Sequence, residues 1–232
     1  MNDYNGTESL AYTTFRDYLN KTYIVLALGL LVSTFFAIAG NFLIGVLPTS
    51  VIAVASIAFL LLELGTAMFF GMRLMKMEKT TAWICYFLYS ALTGLSLSYI
   101  FTAYTASSVV LAFGAATIVF VSMAIIGYTT KIDLRKFGTL FLAGLIASII
   151  MTLLNALLIH SDALSMGICY LGIIIFLGLI AYDMQRLRDL YNAGLADPAL
   201  GEKLMVYGSF QLYLDFINLF IRILRIFGRR RD

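Results

Sequence analysis

The sequence has little charge and few prolines, cysteines or histidines, and these shortages exclude several classes of protein. Only 12% of the 232 residues are charged, about half the fraction usual in soluble domains. The single histidine has no partnered nucleophile, and neither a His-Glu-x-x-His helix nor a phosphate-binding glycine loop is present. We therefore expect no enzyme. The net charge of +3, on scattered basic residues, predicts no nucleic-acid partner.

What the sequence has in abundance is long apolar runs. Hydrophobic residues make up 61% of the chain, with only two prolines, which favours long helices over short alternating strands. Cys85 and Cys169 lie inside these runs and are expected to be buried hydrophobes. Each run is long enough to cross a hydrocarbon layer about 30 Å thick. The seven runs cover residues 22–45, 50–72, 82–104, 107–129, 137–159, 164–185 and 204–227.

We predict an all-α integral membrane protein in which residues 22–227 form one transmembrane helical domain. Residues 1–21 would be a cytoplasmic N-terminal segment and residues 228–232 a basic tail. Lysine and arginine residues flank the runs at alternate connections, and the connections near 46–49, 105–107 and 160–163 contain neither. This asymmetry predicts a cytoplasmic N-terminus, and the short N-terminal segment without retrieval signals favours a bacterial plasma membrane. The topology-setting residues are Arg16, Lys21, Arg73, Lys76, Lys79, Lys131, Arg135, Lys136, Arg186, Arg188 and Lys203.

The last run differs from the others because polar residues interrupt it at spacings of 4, 3, 4 and 3. At about 100° per residue they fall within an arc of roughly 80° on one helix face. A carboxylate at mid-membrane is costly against lipid, so this face must look into protein or water, and we expect a central helix. Length favours a complete crossing, whereas the terminal arginines favour a re-entrant helix with a cytoplasmic end. The polar residues are Gln211, Asp215, Asn218, Arg222 and Arg225.

Three acids lie within the predicted spans, and two of them are positioned to meet. Asp183 precedes Gly194 by 11 residues, and Asp215 follows Pro198, a first helical residue behind the expected N-cap Asp197, by 17. Counted from the turn, their depths differ by about six residues, or roughly 9 Å, which tilt and the turn can absorb. Facing carboxylates would share a proton, and a cation such as Ca²⁺ or an arginine could replace that proton. Such a site predicts a pH-gated cation pathway.

Simpler arrangements of these acids remain open. Asp183 could end its span at the headgroups. Asp215 could pair with Arg222 or Arg73 and fix helix packing alone. The third acid, Glu63, lies about 15 Å along a helix from Arg73, near mid-membrane.

Two segments resemble the Bax inhibitor-1 family, also called the transmembrane Bax inhibitor motif family. They are Ala181-Tyr182-Asp183-Met184-Gln185 and Leu212-Tyr213-Leu214-Asp215-Phe216-Ile217-Asn218-Leu219-Phe220, the latter followed by Leu224-Arg225-Ile226-Phe227-Gly228. The resemblance implies seven helices, six around a central C-terminal one, and Ca²⁺ leak activity responsive to pH. It assigns Asp183 and Asp215 as the proton-sensing pair and ligands of the ion, Arg73 as a latch in the closed state, and Glu63 as an acid on the ion path. Gln211, Asn218 and Arg222 would support the polar face.

Two functions stay open from the sequence. The first is a passive, pH-sensitive Ca²⁺ leak through the bundle, with the lipid bilayer, protons and Ca²⁺ as partners and no prosthetic group. The second is a regulator that binds membrane proteins, in cell-death or membrane-protease control, without flux of its own. A proton-coupled transporter is a weaker third.

Overall fold

The computed structural model describes residues 14–44, 46, 62–63, 65–73 and 76–229. Over these residues the chain is helical and no β-strand is present, which confirms the all-α prediction. A 3₁₀ turn at Leu134–Phe137 precedes α6, and a π-helical turn at Asn155–Ile159 follows it. The helices are α1 (Phe15–Ile44), α2 (helical at residues 62–63 and 65–73), α3 (Lys79–Leu97), α4 (Ile100–Ala103), α5 (Ala106–Thr129), α6 (Gly138–Leu154), α7 (Asp162–Gly194) and α8 (Pro198–Phe227).

Six helical segments of the described chain have the length and hydropathy to cross a membrane. They coincide with six of the seven predicted runs, whereas most of the run 50–72 lies outside the described residues. Three helices extend six or more residues beyond their apolar runs: α1 begins at Phe15, α7 ends at Gly194 and α8 begins at Pro198. Hydropathy identifies only the part of a helix that lies in the hydrocarbon layer, so it does not detect the polar turns at the helix ends.

The start of α8 is fixed by a side-chain cap, as the sequence predicted. Asp197 Oδ1 accepts hydrogen bonds from the backbone N–H groups of Ala199 (2.9 Å) and Leu200 (3.2 Å), and Pro198 occupies the first turn. From there α8 runs unbroken for 30 residues, about 45 Å at 1.5 Å per residue. It therefore has more than the length needed to cross the hydrocarbon core.

Helix α8 is the centre of the bundle. Within its most apolar 18 residues 72% are buried, compared with 11% in the span 134–159 that contains α6. It packs against α1, α3, α5 and α7, and α6 packs on the outside of α7. Large apolar side chains instead cover the outer faces of the surrounding helices, for example Phe35 (67% exposed) and Ile174 (66% exposed). This distribution suits a surface that faces lipid.

Candidate ion and proton site

The close approach of α7 and α8 sets the relative depth of the two aspartates. Gly194 lies against Gly201, and Leu187 packs on Gly208, because a glycine leaves room for the neighbouring helix. This antiparallel register sets Asp183 level with Leu212. Asp215 is therefore only three residues deeper, about 4.5 Å along the helix, rather than the six residues counted from the turn.

Side-chain direction removes most of the remaining offset. In an α-helix each Cα–Cβ bond tilts toward the helix N-terminus. Because α7 and α8 are antiparallel, Asp183 leans away from the turn between them, and Asp215, which lies deeper, leans back toward it. The two carboxyl groups consequently point at one another, and they are in hydrogen-bonding contact.

The two carboxyl groups are buried and lack conventional donors. Asp183 is 6% exposed and Asp215 is 5% exposed. Asp183 Oδ1 and Asp215 Oδ2 have no hydrogen-bond donor among the described residues, and no described basic side chain forms an ion pair with either group. Two ionised carboxylates about 4 Å apart would repel by about 4 kcal/mol at an effective dielectric of about 20. A shared proton or a bound cation would remove this repulsion.

The pair lies on the wall of a cavity of about 490 Å³ between α6, α7 and α8, which has room for several water molecules. Gln211 and Asn218, one turn on either side of Asp215, also line it. The structure thus places two of the three supporting polar residues beside the pair. Their amide oxygens, with the carboxylates, are the hard ligands that Ca²⁺ takes in proteins.

Arg222 lies beyond this cavity and does not pair with Asp215. Its guanidinium group covers Gly172, lies 5.3 Å from the centroid of the Phe176 ring and donates to the Ile168 carbonyl oxygen at 3.2 Å. Nε has no described partner. Arg222 thus binds the N-terminal half of α7 and does not neutralise either aspartate.

Arg73 and Glu63 are not brought to the cavity in this conformation. Arg73 is exposed near the end of α2, and no ion pair joins it to either aspartate in the described part of the chain. Glu63 is half-buried on another side of α8, beside the hydroxyl groups of Thr93 and Ser96. Neither is among the described residues that line the cavity.

Arg186 is a cavity residue that sequence reasoning assigned to topology alone. It lines the cavity, and its charge acts on Asp183, which precedes it by three residues on the same face of α7. Its guanidinium carbon lies 5.7 Å from the centroid of the Tyr207 ring on α8. The i, i+3 spacing from Asp183 is the sequence signal that could have identified it.

Gln185, two residues after Asp183, ties the α5–α6 connection to α7. Gln185 Oε1 accepts from the Leu134 backbone N–H at 2.8 Å, and Nε2 donates to the Ile132 carbonyl oxygen at 2.7 Å.

Near this connection, Arg135 binds Asp133 and Asp189 at the surface. The hydrogen bond from Arg135 holds the pKa of Asp133 below its usual range, so this surface carboxylate stays ionised at neutral pH.

Comparison with known proteins identifies relatives along most of the chain. The family model described as "Inhibitor of apoptosis-promoting Bax1" matches residues 15–232. A Rickettsia prowazekii protein is 38% identical over 228 residues, covering 94% of this chain and 91% of that protein. A Borreliella burgdorferi protein is 38% identical over 217 residues, 93% of each chain. The inner membrane protein YbhL of Escherichia coli K12 is 39% identical over 176 residues, 75% of each chain.

Proposed function

Since this chain belongs to the Bax inhibitor-1 family of integral membrane proteins, we propose that it is a pH-sensitive calcium leak channel of a bacterial plasma membrane. The name of the relative YbhL, an inner membrane protein, supports the choice of membrane. The observation that carries the activity is the buried contact between Asp183 and Asp215 on the wall of a cavity. A cytoplasmic N-terminus follows from the placement of basic residues in the sequence.

In the proposed mechanism the aspartate pair exchanges one proton for one Ca²⁺ ion. With a shared proton the carboxyl groups hold α7 and α8 together. Loss of that proton leaves two negative charges in contact, which a divalent cation neutralises better than a monovalent one. The carboxylates, Gln211 and Asn218 then offer oxygen ligands within the cavity. Because Ca²⁺ and the proton compete, the affinity of the pair for Ca²⁺ falls as the pH falls.

An arginine latch completes the proposed gate. The family resemblance assigns this part to Arg73, which is exposed here and would reach the pair only after a movement of α2. When it does, its guanidinium competes with both proton and metal for the carboxylates. Glu63 would serve ions at another point along their route, on a different side of α8.

Ca²⁺ flux into proteoliposomes over a pH series tests the proposal. We expect the wild-type protein to leak Ca²⁺ with a pH dependence that Asp183→Asn and Asp215→Asn each remove. The matched control is Asp189→Asn, which removes an exposed carboxylate on α7 and should leave the pH profile unchanged. An unaltered pH response in both pair variants would refute the role of the pair. No flux from the wild type, together with a co-purifying membrane protein, would favour the regulatory function instead.

A further inference from the structure

A second polar cluster lies on the side of α8 that faces away from the aspartate cavity. Tyr213 and Asp215 are two positions apart, which on a helix is a rotation of about 200°. Tyr213 faces α1 and α3: its hydroxyl group lies 2.6 Å from Ser33 Oγ, and its ring centroid lies 6.0 Å from that of Tyr89. The core helix therefore separates two polar compartments.

Glu63 belongs to this second cluster. Its carboxylate lies beside the hydroxyl groups of Thr93 and Ser96 on α3, and its charge acts on Tyr89 and Tyr213. No described basic side chain forms an ion pair with it. A single intramembrane carboxylate is thus surrounded by hydroxyl groups, with no cation from the described protein to balance its charge.

The neighbouring hydroxyl groups have unused bonding capacity. Thr93 Oγ1 and Ser96 Oγ are buried beside the Glu63 carboxylate, and neither makes a hydrogen bond of ordinary geometry with the described residues. Thr93 is only 5% exposed. A buried polar atom that lacks well-placed partners is destabilising, so these oxygens stabilise the fold best when a cation accepts their lone pairs.

Charge balance decides which ligand fits. One carboxylate and several neutral hydroxyl oxygens neutralise a single positive charge, whereas a divalent ion would leave a net positive charge in the bundle. We propose that Glu63, Thr93 and Ser96 form a binding site for a monovalent metal cation of the size of Na⁺, separate from the aspartate pair. This site goes beyond the calcium leak: it gives Glu63 a bound monovalent ion in place of the role on the calcium path that the family resemblance implies, and its occupancy does not require flux.

Thermal unfolding of the purified protein in lipid nanodiscs tests this site. NaCl is titrated against choline chloride at constant ionic strength, because choline is too large to replace a desolvated Na⁺. We expect the midpoint to rise with Na⁺ and to saturate. Glu63→Gln should abolish the rise, whereas Glu78→Gln, at an exposed glutamate, and Asp215→Asn should retain it.

Hydroxyl variants test the ligand set without altering charge. Thr93→Val and Ser96→Ala should each raise the half-saturating Na⁺ concentration by about tenfold, the effect of losing one favourable oxygen contact. If Glu63→Gln fails to fold, these two variants still test whether the Na⁺ site exists. Equal midpoints in Na⁺ and choline, or a larger Glu63-dependent rise with CaCl₂ than with NaCl, would overturn the proposal. Retention of the Na⁺ effect in Asp215→Asn separates this test from that of the calcium leak.

Discussion

Replacing Asp215 by asparagine should make the protein more stable than the wild type in alkaline solution. The carboxyl groups of Asp183 and Asp215 are 6% and 5% exposed and in contact, so solvent screens them little. When both are ionised they repel by about 4 kcal/mol, for a separation of about 4 Å and an effective dielectric of about 20. The folded pair therefore retains a proton that the separated carboxylates of the unfolded chain lose. Stability of the wild type consequently declines as rising pH removes that proton.

The substituted asparagine would carry no charge and could donate its amide N–H to Asp183. The stability of the Asp215→Asn variant should therefore decline less with rising pH than that of the wild type, because the repulsion is lost although Asp183 stays buried. For a chain of about this size, 1 kcal/mol shifts the unfolding midpoint by about 2–4 °C. At the alkaline end of the series, full repulsion therefore corresponds to an unfolding midpoint about 8–16 °C higher in Asp215→Asn than in the wild type. At the acid end the two midpoints should differ little. Calcium must be chelated throughout, because a bound cation would mask the repulsion.

Intrinsic fluorescence offers a direct measurement, since Trp83 is the only tryptophan. Its Nε1–H donates to Glu202 Oε1 at 3.0 Å, which links α3 to α8, so separation of these helices should alter its emission. Midpoints would be measured in nanodiscs over a pH series from weakly acid to alkaline. A wild-type midpoint that does not change with pH, or an Asp215→Asn variant that follows the wild type, would refute the reasoning.

Asp133→Asn provides the matched control. The hydrogen bond from Arg135 lowers the pKa of Asp133, so the stability that this ionised group contributes is present above the ordinary aspartate range. It is lost only as the pH falls through the lowered value. Across the same pH series its contribution is constant, and the variant should keep the wild-type profile.

Further predictions concern the surroundings of the pair. Arg186→Gln should shift the pH profile of Ca²⁺ flux even in the present conformation, because the charge of Arg186 already acts on Asp183. Arg73→Gln should shift this profile only if α2 moves. Flux assays of both variants therefore distinguish the roles of the two arginines. Gly127→Ala should lower stability by about 1–3 kcal/mol, since its Cβ would meet the α7 backbone, whereas Gly114→Ala on the same helix meets nothing within 4 Å; thermal midpoints compare them. Gln185→Ala should cost about 1–2 kcal/mol for two lost hydrogen bonds and speed amide exchange at Leu134, whose N–H donates to Gln185 Oε1; unchanged exchange at Leu134 would contradict this tether.

The helices and the polar face of α8 could be predicted because they depend on local spacing. Runs of apolar residues reveal spans, and the repeat from Gln211 to Asn218 identifies the face that lines the cavity. The family resemblance, carried by the segments around Asp183 and Asp215, is confirmed by the match over residues 15–232.

Packing between distant helices could not be predicted from those patterns. The register of α7 on α8 depends on Gly194 fitting against Gly201. No pattern in the sequence indicates that these two glycines are in contact. The same limit applies to Arg222, which could have reached toward Asp215 but binds the Ile168 carbonyl. The position of Arg186 in the cavity could not be predicted, because a basic residue near the end of a span is equally expected as a signal for membrane topology.

The position of Arg222 gives the proposed conduction route an electrical polarity. Its charge is seven residues beyond Asp215, about 10 Å along α8, where a divalent ion held by the carboxylates would feel a repulsion of about 3 kcal/mol at an effective dielectric of about 20. Arg186 lines the cavity on the side of the α7–α8 turn and opposes exit in that direction too, so the pair lies between two positive charges, and an asymmetric barrier of this kind favours exit past the weaker one. Under an applied voltage such a barrier acts as a rectifier, passing unequal currents in the two directions.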